Sequence, residues 1–224
     1  MPLEVGFFYA DLGVGAYQEL SKTYLSSLRK VAPDAHITQL SPHYTPALDG
    51  VDNVGRYNIE CTAANIMAVR TAMYSKHVRH AKGPLVYTDL DCLWLKRPSF
   101  EGCDWDIGVI YRAGQPSMPY NCGMIYTRPN ERAVNFWGEW AHLYAALPKS
   151  VHGWWGDQIS LAMLLGLNAK PGDVLTCHGA RIGILDAYDH AFIPTEPGQE
   201  TNSVLIHFKG PSRKELMSDA ASSD

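Results

Sequence analysis

Two carboxylates interrupt an apolar run in Val86–Pro98, VYTDLDCLWLKRP. If this segment is a strand, its side chains alternate between faces, so Asp89 and Asp91 point one way and Thr88 and Leu90 the other. Two negative charges beside each other near a core are costly unless something positive compensates them. A divalent cation held through oxygen ligands is the simplest compensation. The alternative is a strand that has run out into solvent, carrying two ordinary surface aspartates. The apolar flanks, Leu85 and Val86 before and Leu93, Trp94 and Leu95 after, favour the metal.

The elements that must position this pair follow from periodicity. Val5–Tyr9 reads as a short buried strand, followed by a turn-rich Asp11–Gly15. Tyr17, Leu20, Tyr24, Leu28 and Val31 share one face of a helix that Pro33 closes. His36–Leu40 is a second strand, and the Pro- and Gly-bearing Ser41–Tyr57 reads as a long loop. A helix over Cys61–His80 leads into the D-x-D strand. Trp105–Tyr111 and Gly123–Tyr126 are two more strands, joined by a loop over Arg112–Pro119. Arg132–Leu147 is an amphipathic helix with Phe136, Trp137, Trp140, Leu143 and Tyr144 inward. Asp157 is placed to cap a helix through Leu165, and Val174–Cys177, Ile182–Leu185 and Val204–Phe208 are strand-like. Strands alternating with helices predict an α/β fold, a doubly wound Rossmann-like α/β/α sandwich that binds ligands at the carboxyl ends of its strands.

A length of 224 residues fits one domain, and 46% hydrophobic with 19% charged residues is the composition of a soluble globular protein. The net charge of −4 supplies no broad basic face for DNA or RNA, beyond a local patch at Lys209, Arg213 and Lys214. Five cysteines without C-x-x-C spacing indicate neither a zinc site nor a disulfide framework, and a reducing cytoplasm is the expected compartment. No apolar stretch is long enough to cross a bilayer and no basic amphipathic tail suits a membrane surface, so no stable membrane association is expected. The expected division is one domain over 1–214 and a frayed polar tail over 215–224.

Five blocks in order resemble the GT-A glycosyltransferases, above all the retaining galactosyltransferase and glycogenin type. FYADLGVGAY (Phe8–Tyr17) is similar to that family's first strand and nucleotide-base loop, and VYTDLDCLWLKRP to its D-x-D strand. MPYNCGMIYTRPN (Met118–Asn130) resembles its aromatic–Asn–x–Gly strand, GDQISLAMLL (Gly156–Leu165) its Asp-Gln helix, and IHFKGPSRK (Ile206–Lys214) its histidine–x–x–glycine loop. The chain departs from the family where Arg213–Lys214 is followed by Glu215 and in lacking a basic C-terminus, so the donor side matches better than the acceptor side.

The resemblance implies transfer of a hexose from a nucleotide-diphosphate sugar, with a UDP-sugar expected as donor. It adds His207 to Asp89 and Asp91 as a metal ligand, a set of oxygens and imidazole that suits Mn²⁺ better than Mg²⁺. The competing reading of His207 is a strand-end histidine bonded to backbone. Gly210 would let backbone approach phosphate, and Lys209 or Lys214 would add positive charge there. Tyr9, Asp11 and Tyr17 fall in the nucleotide block; Asp11 is a candidate acceptor for a uracil N–H and equally a turn former. Arg70 points toward the donor or is an exposed helix-face charge. Asn121, Asp157 and Gln158 are candidates to hold sugar hydroxyls, with helix capping the competing role for Asp157. Trp154 and Trp155 are aromatic platforms for an acceptor or ordinary packing. Retention is implied by resemblance, whereas inversion would need a carboxylate base, for which Asp157 is the candidate. The acceptor is left open among a glycan, a protein side chain, a small molecule and a modified nucleic-acid base, and so is the oligomeric state. Two rivals are a sugar-1-phosphate nucleotidylyltransferase, disfavoured because no Lys or Arg precedes Lys22, and a catalytically silent nucleotide-sugar or metal-binding module.

Overall fold

The computed structural model of the protein describes residues 2–13, 16–196, 199, 201–210 and 217. The first half lays down parallel strands: β1 (Glu4–Phe8), β2 (His36–Pro42) and β3 (Asn53–Tyr57). Helix α1 (Ala16–Val31) crosses between β1 and β2, with Leu20, Tyr24 and Leu28 buried at helical spacing, as its periodicity predicts. The expected loop over Ser41–Tyr57 is corrected by β3, which pairs in register with β2 from Thr38↔Asn53 to Pro42↔Tyr57. It is an edge strand with no fully buried residue, so it carries no apolar alternation to read.

Helix α2 (Ile66–His77) is shorter than the expected Cys61–His80 and delivers the chain to β4 (Leu85–Thr88). Then come β5 (Cys92–Trp94), β6 (Ile107–Tyr111), β7 (Tyr120–Thr127), α3 (Glu131–Ala146), α4 (Gly156–Leu165), β8 (Val174–Cys177), β9 (Ala180–Asp186), α5 (Ala187–His190), β10 (Ala191–Phe192) and β11 (Leu205–His207). Eight strands form one sheet in the order β3-β2-β1-β4-β7-β6-β9-β8, and β10-β11-β5 form a small second sheet. The pairs β1·β2, β2·β3, β1·β4 and β6·β9 are parallel, while β7 runs antiparallel to both β4 and β6. This is the α/β/α architecture expected. Neither α5 nor β10 was anticipated from the sequence, being too short to carry a period.

Each face of the large sheet has its own core. On β4, Val86 joins the α1 side with Tyr24 and Leu28, whereas Leu85 and Tyr87 join the α2 and α3 side. There Tyr87 stacks on Tyr74 at 4.0 Å between ring centroids and meets Trp137 edge-on at 5.3 Å. Met217, from the segment expected to fray, is fully buried in the α1-side core; the rest of 211–224 lies outside the described residues. Among the described residues no helix is long and apolar enough to cross a membrane. Strand order reverses between β1 and β4, so the crevice beyond their carboxyl ends is where a doubly wound sheet binds its ligand.

Candidate active site

Asp89 and Asp91 lie in that crevice, but not within a strand. The chain leaves the large sheet after Thr88, bends through Asp89, Leu90 and Asp91, and enters the small sheet at Cys92. The two carboxylates still converge, for a different reason than strand alternation. The Asp89 N–H donates to the Gly123 carbonyl at 3.0 Å, and the Asp91 carbonyl accepts the Phe208 N–H at 2.8 Å. Strand β11 runs antiparallel to β5 with His207 opposite Cys92, which seats the buried imidazole against the bend. Its Nε2 is 3.3 Å from Asp91 Oδ1 and 3.8 Å from Asp89 Oδ2.

The other imidazole nitrogen faces Asn121, whose Nδ2 lies 3.3 Å from Nδ1 while its Oδ1 accepts the Gly123 N–H at 3.0 Å. His207 is therefore held by side chains, and the reading of a histidine bonded to backbone is corrected. The ring rests on Gly123, where a Cβ would come within 2.1 Å of Cε1, which gives the Asn–x–Gly spacing a physical reason. A bulge aims Asn121 here. The β6·β7 register shifts between Val109 and Ile110, and across Gly123 the buried even-numbered residues switch cores, from Tyr120 and Cys122 to Met124 and Tyr126.

The donor atoms around His207 fit a divalent cation. One oxygen from each aspartate and an imidazole nitrogen face one another across a buried gap, the O/N set that suits Mn²⁺. Asp91, Cys92 and His207 also place their ligand atoms within 4.8 Å of one another. Burial, then Asp91 and Asp89, push the Cys92 thiol well above its ordinary range.

Arg70 of α2 stands beneath the pair, with 4% of its surface exposed, which corrects the reading of an exposed helix-face charge. One guanidinium nitrogen pairs with Asp89 Oδ1 and another with Asp157 Oδ2. Burial disfavours the charge on Arg70, but Asp89 and Asp157 outweigh it and hold its pKa well above the ordinary value. Asp157 does not cap α4: the N-cap residue is Trp155, without a side-chain cap, and Asp157 lies buried in the first turn, where a helix favours negative charge. Gln158 Oε1 accepts from Arg112 Nη2 at 2.8 Å, and the same nitrogen reaches the Tyr120 carbonyl at 3.2 Å. No motif marked Arg112 in the sequence; its position opening the loop after β6 was the only signal.

Three hollows meet at this cluster. One of about 170 Å³ is bounded by Tyr9, Tyr17, Ile66, Arg70, Asp91 and Trp154, which joins the nucleotide block to the D-x-D bend. Asp11 is not on that wall; its Oδ1 accepts the Gly13 N–H at 2.9 Å, the turn-former's role. A second, of only about 10 Å³, sits among Arg70, Asp89, Asn121, Asp157, Gln158 and His207, with Trp154 and Lys209 completing its wall. The third is an open cleft of about 540 Å³ that begins at Trp154 and Lys209. Lys209 Nζ lies 5.0 Å from the Trp155 ring centroid, and burial, with Arg112 nearby, lowers its pKa. Gly210 holds a φ of +93°, a left-handed backbone that glycine takes without strain. Lys214 lies outside the described residues.

Comparison with known proteins agrees with the fold. Residues 23–215 match the family of nucleotide-diphospho-sugar transferases, and the chain belongs to that family. It is a glycosyltransferase with a GT-A fold, and its donor is a nucleotide sugar. None of the curated proteins matches it. Among solved structures it is similar to a glycosyltransferase involved in the glycosylation of the major capsid of PBCV-1, at 11% identity and a TM-score of 0.64 over 100% of both chains. At that identity the likeness concerns the fold.

Proposed function

We propose that this enzyme moves a hexose from a UDP-sugar to an acceptor hydroxyl, with retention, and that Asp89, Asp91 and His207 bind the Mn²⁺ it requires. Mg²⁺ is the second choice of metal. The observation that carries the reading is the convergence of two carboxylate oxygens and His207 Nε2 at the carboxyl end of β4, beside a cavity walled by Tyr9 and Tyr17. The cation, when bound, supplies positive charge to the departing diphosphate. Arg70 fixes the Asp89 carboxylate in place and links it to Asp157. Lys209 adds positive charge and Gly210 lines the phosphate path; Lys214, the other cation the resemblance implies, lies outside the described residues. Tyr9 and Tyr17 enclose the base, with Asp11 at its edge, and Asn121, Asp157 and Gln158 face the sugar.

Retention fits the commitment of Asp157. An inverting enzyme needs a carboxylate free to take the acceptor proton. The Asp157 carboxylate is instead buried, paired with Arg70 through Oδ2 and with Oδ1 enclosed without a hydrogen-bond partner, and it does not line the open cleft. With retention the anomeric carbon loses its bond to the diphosphate oxygen and gains one to the acceptor oxygen on the same face, and the acceptor proton leaves with the diphosphate. All five cysteines are unpaired, which supports a reducing, cytoplasmic setting.

The test is thermal stability with UDP, UDP-glucose and UDP-galactose, each with and without Mn²⁺, since a ligand that binds only the folded state raises its melting temperature. A Mn²⁺-dependent shift, with UDP released from one sugar donor, is expected. Asp91→Ala should abolish that release while the chain stays folded, and unchanged release would sink the metal assignment. Binding with no turnover would favour the silent module, and a pyrophosphate-dependent reaction the nucleotidylyltransferase.

A further inference from the structure

The open cleft of about 540 Å³ beside the cluster falls within the range of sites that bury small ligands. Its wall carries three of the four exposed aromatic side chains among the described residues: Trp154 at 45%, Trp155 at 41% and Tyr188 at 60%, with Tyr44 elsewhere. Phe192 lies behind Tyr188, their ring centroids 5.7 Å apart. Trp155 adopts a φ of 89°, a left-handed conformation that disfavours a bulky residue. The turn is tight as well: a Cβ on Gly156 would strike the Val151 carbonyl at 1.7 Å. A glycine would relieve the strain at 155, so an exposed indole there points to a use for its face.

The charges on the wall are of one sign. Arg112 and Lys209 line the cleft, and no Asp or Glu does among the described residues. Three carboxylates adjoin lining residues in sequence without lining the cleft themselves, Asp186, Asp189 and Glu196, and Asp186 is turned back to accept the Tyr188 N–H at 2.9 Å. Trp154 and Lys209 also wall the small hollow that holds Asp89, Asn121 and Asp157, so a ring in the cleft would present a hydroxyl toward the donor's sugar.

We propose that this cleft is the acceptor subsite and that its occupant is the terminal sugar ring of a glycan bearing no positive charge, stacked on Trp155 with Tyr188 opposite. The proposal rests on reading the Asp89–Asp91–His207 cluster as the donor centre. The C–H face of a pyranose meets the negative face of an aromatic ring favourably. Hydroxyls find donors and acceptors on Gln115 and Thr195, which also line the cleft. A nucleic acid would need a basic track along its phosphates. Here one of the two cations, Arg112, is already engaged with Gln158 and the Tyr120 carbonyl.

The test uses the full chain with Mn²⁺, UDP-glucose and UDP-galactose, reading UDP release with the methyl glycosides of galactose, glucose, mannose, glucuronate and glucosamine, and with a Ser/Thr peptide and an oligonucleotide. A neutral or anionic glycoside should raise release about tenfold over donor hydrolysis, and protonated glucosaminide should not. Tyr188→Ala and Trp155→Ala should each raise the KM for that glycoside by about tenfold with kcat within about threefold. Tyr188→Ala changes an exposed side chain on α5 and so reads the subsite even if Trp155→Ala fails to fold. The shift in melting temperature given by UDP with Mn²⁺ should persist in both. Stimulation by the peptide or the oligonucleotide alone, or an unchanged KM in Tyr188→Ala, overturns the proposal. A UDP shift with no glycoside stimulation overturns it too and leaves the donor reading standing, whereas no UDP shift at all overturns both.

Discussion

Arg70 and Asp157, 87 residues apart in sequence, form a buried ion pair that ties α2 to α4 beneath the D-x-D bend. The same guanidinium reaches Asp89, so one side chain joins two carboxylates that would otherwise repel each other in a dry site.

Removing one member of a buried pair strands the other's charge, which costs roughly 3–5 kcal/mol. Arg70→Met should therefore lower the free energy of unfolding in urea by about that amount, with two carboxylates left uncompensated. Arg70→Lys should rescue little, because an ammonium cannot serve two carboxylates in the planar geometry of the fork. A variant as stable as the parent would show that the pair contributes nothing net.

Gly123 supports the imidazole directly. A methyl group there overlaps the His207 ring at 2.1 Å, and β7, held on both sides, cannot retreat far. Gly123→Ala should displace the ring and abolish the Mn²⁺-dependent part of the UDP stabilisation, while the far-ultraviolet circular dichroism stays that of the parent. Retention of the full Mn²⁺-dependent shift would mean that the ring has room to move without losing its partners.

Much of this arrangement was legible in the sequence, and the illegible parts share a cause. The α1 and α3 helices announced themselves by one buried stripe each, and the strands β1, β2, β4 and β9 by short runs rich in apolar residues, the first three buried on both faces of the sheet. The edge strand β3 buries nothing fully, so it read as loop. Asp89 and Asp91 were expected to converge through strand alternation, yet backbone hydrogen bonds of Asp89 to Gly123 and of Phe208 to Asp91 bring them together. Long-range contacts of that kind leave no local period. Arg70 read equally as a surface charge because its partners, Asp89 and Asp157, come from two other elements. Asp157 carried a helix-start signal that the tertiary pairing overrode.

Away from the site, Asp106 offers a test of acid stability. Burial pushes its carboxyl up, but Arg132, the Arg181 N–H and Asn130 outweigh burial and hold it below the usual range. A carboxyl whose folded pKa is depressed stabilises the fold above its unfolded value and loses that contribution as pH falls through the folded value. Asp106→Asn should therefore unfold at lower urea than the parent at pH 7, with the gap closing below about pH 4, where the unfolded carboxyl titrates. A gap that stays constant to low pH would assign the loss to packing.

Trp154 borders all three hollows, the cavity at Tyr9 and Tyr17, the space at the carboxylates and the open cleft proposed for the acceptor. The middle one, at about 10 Å³, has no room for a hexose, so a bound donor sugar must displace part of its wall. Arg70, Asp157 and His207 are held in place by buried pairs and hydrogen bonds, whereas Trp154 is 45% exposed and is the freest side of that wall. Under the proposed donor and acceptor placement, its indole would yield to the sugar and then separate it from solvent in the cleft. Trp154→Ala should leave the fold intact and admit water beside the sugar, raising the ratio of donor hydrolysis to transfer by about tenfold. Free hexose and glycoside product, counted from one labelled donor, give that ratio directly. An unchanged ratio would show that Trp154 is only a wall of the cleft and that the opening lies elsewhere, with Lys209 the other side chain shared between the cleft and the carboxylates.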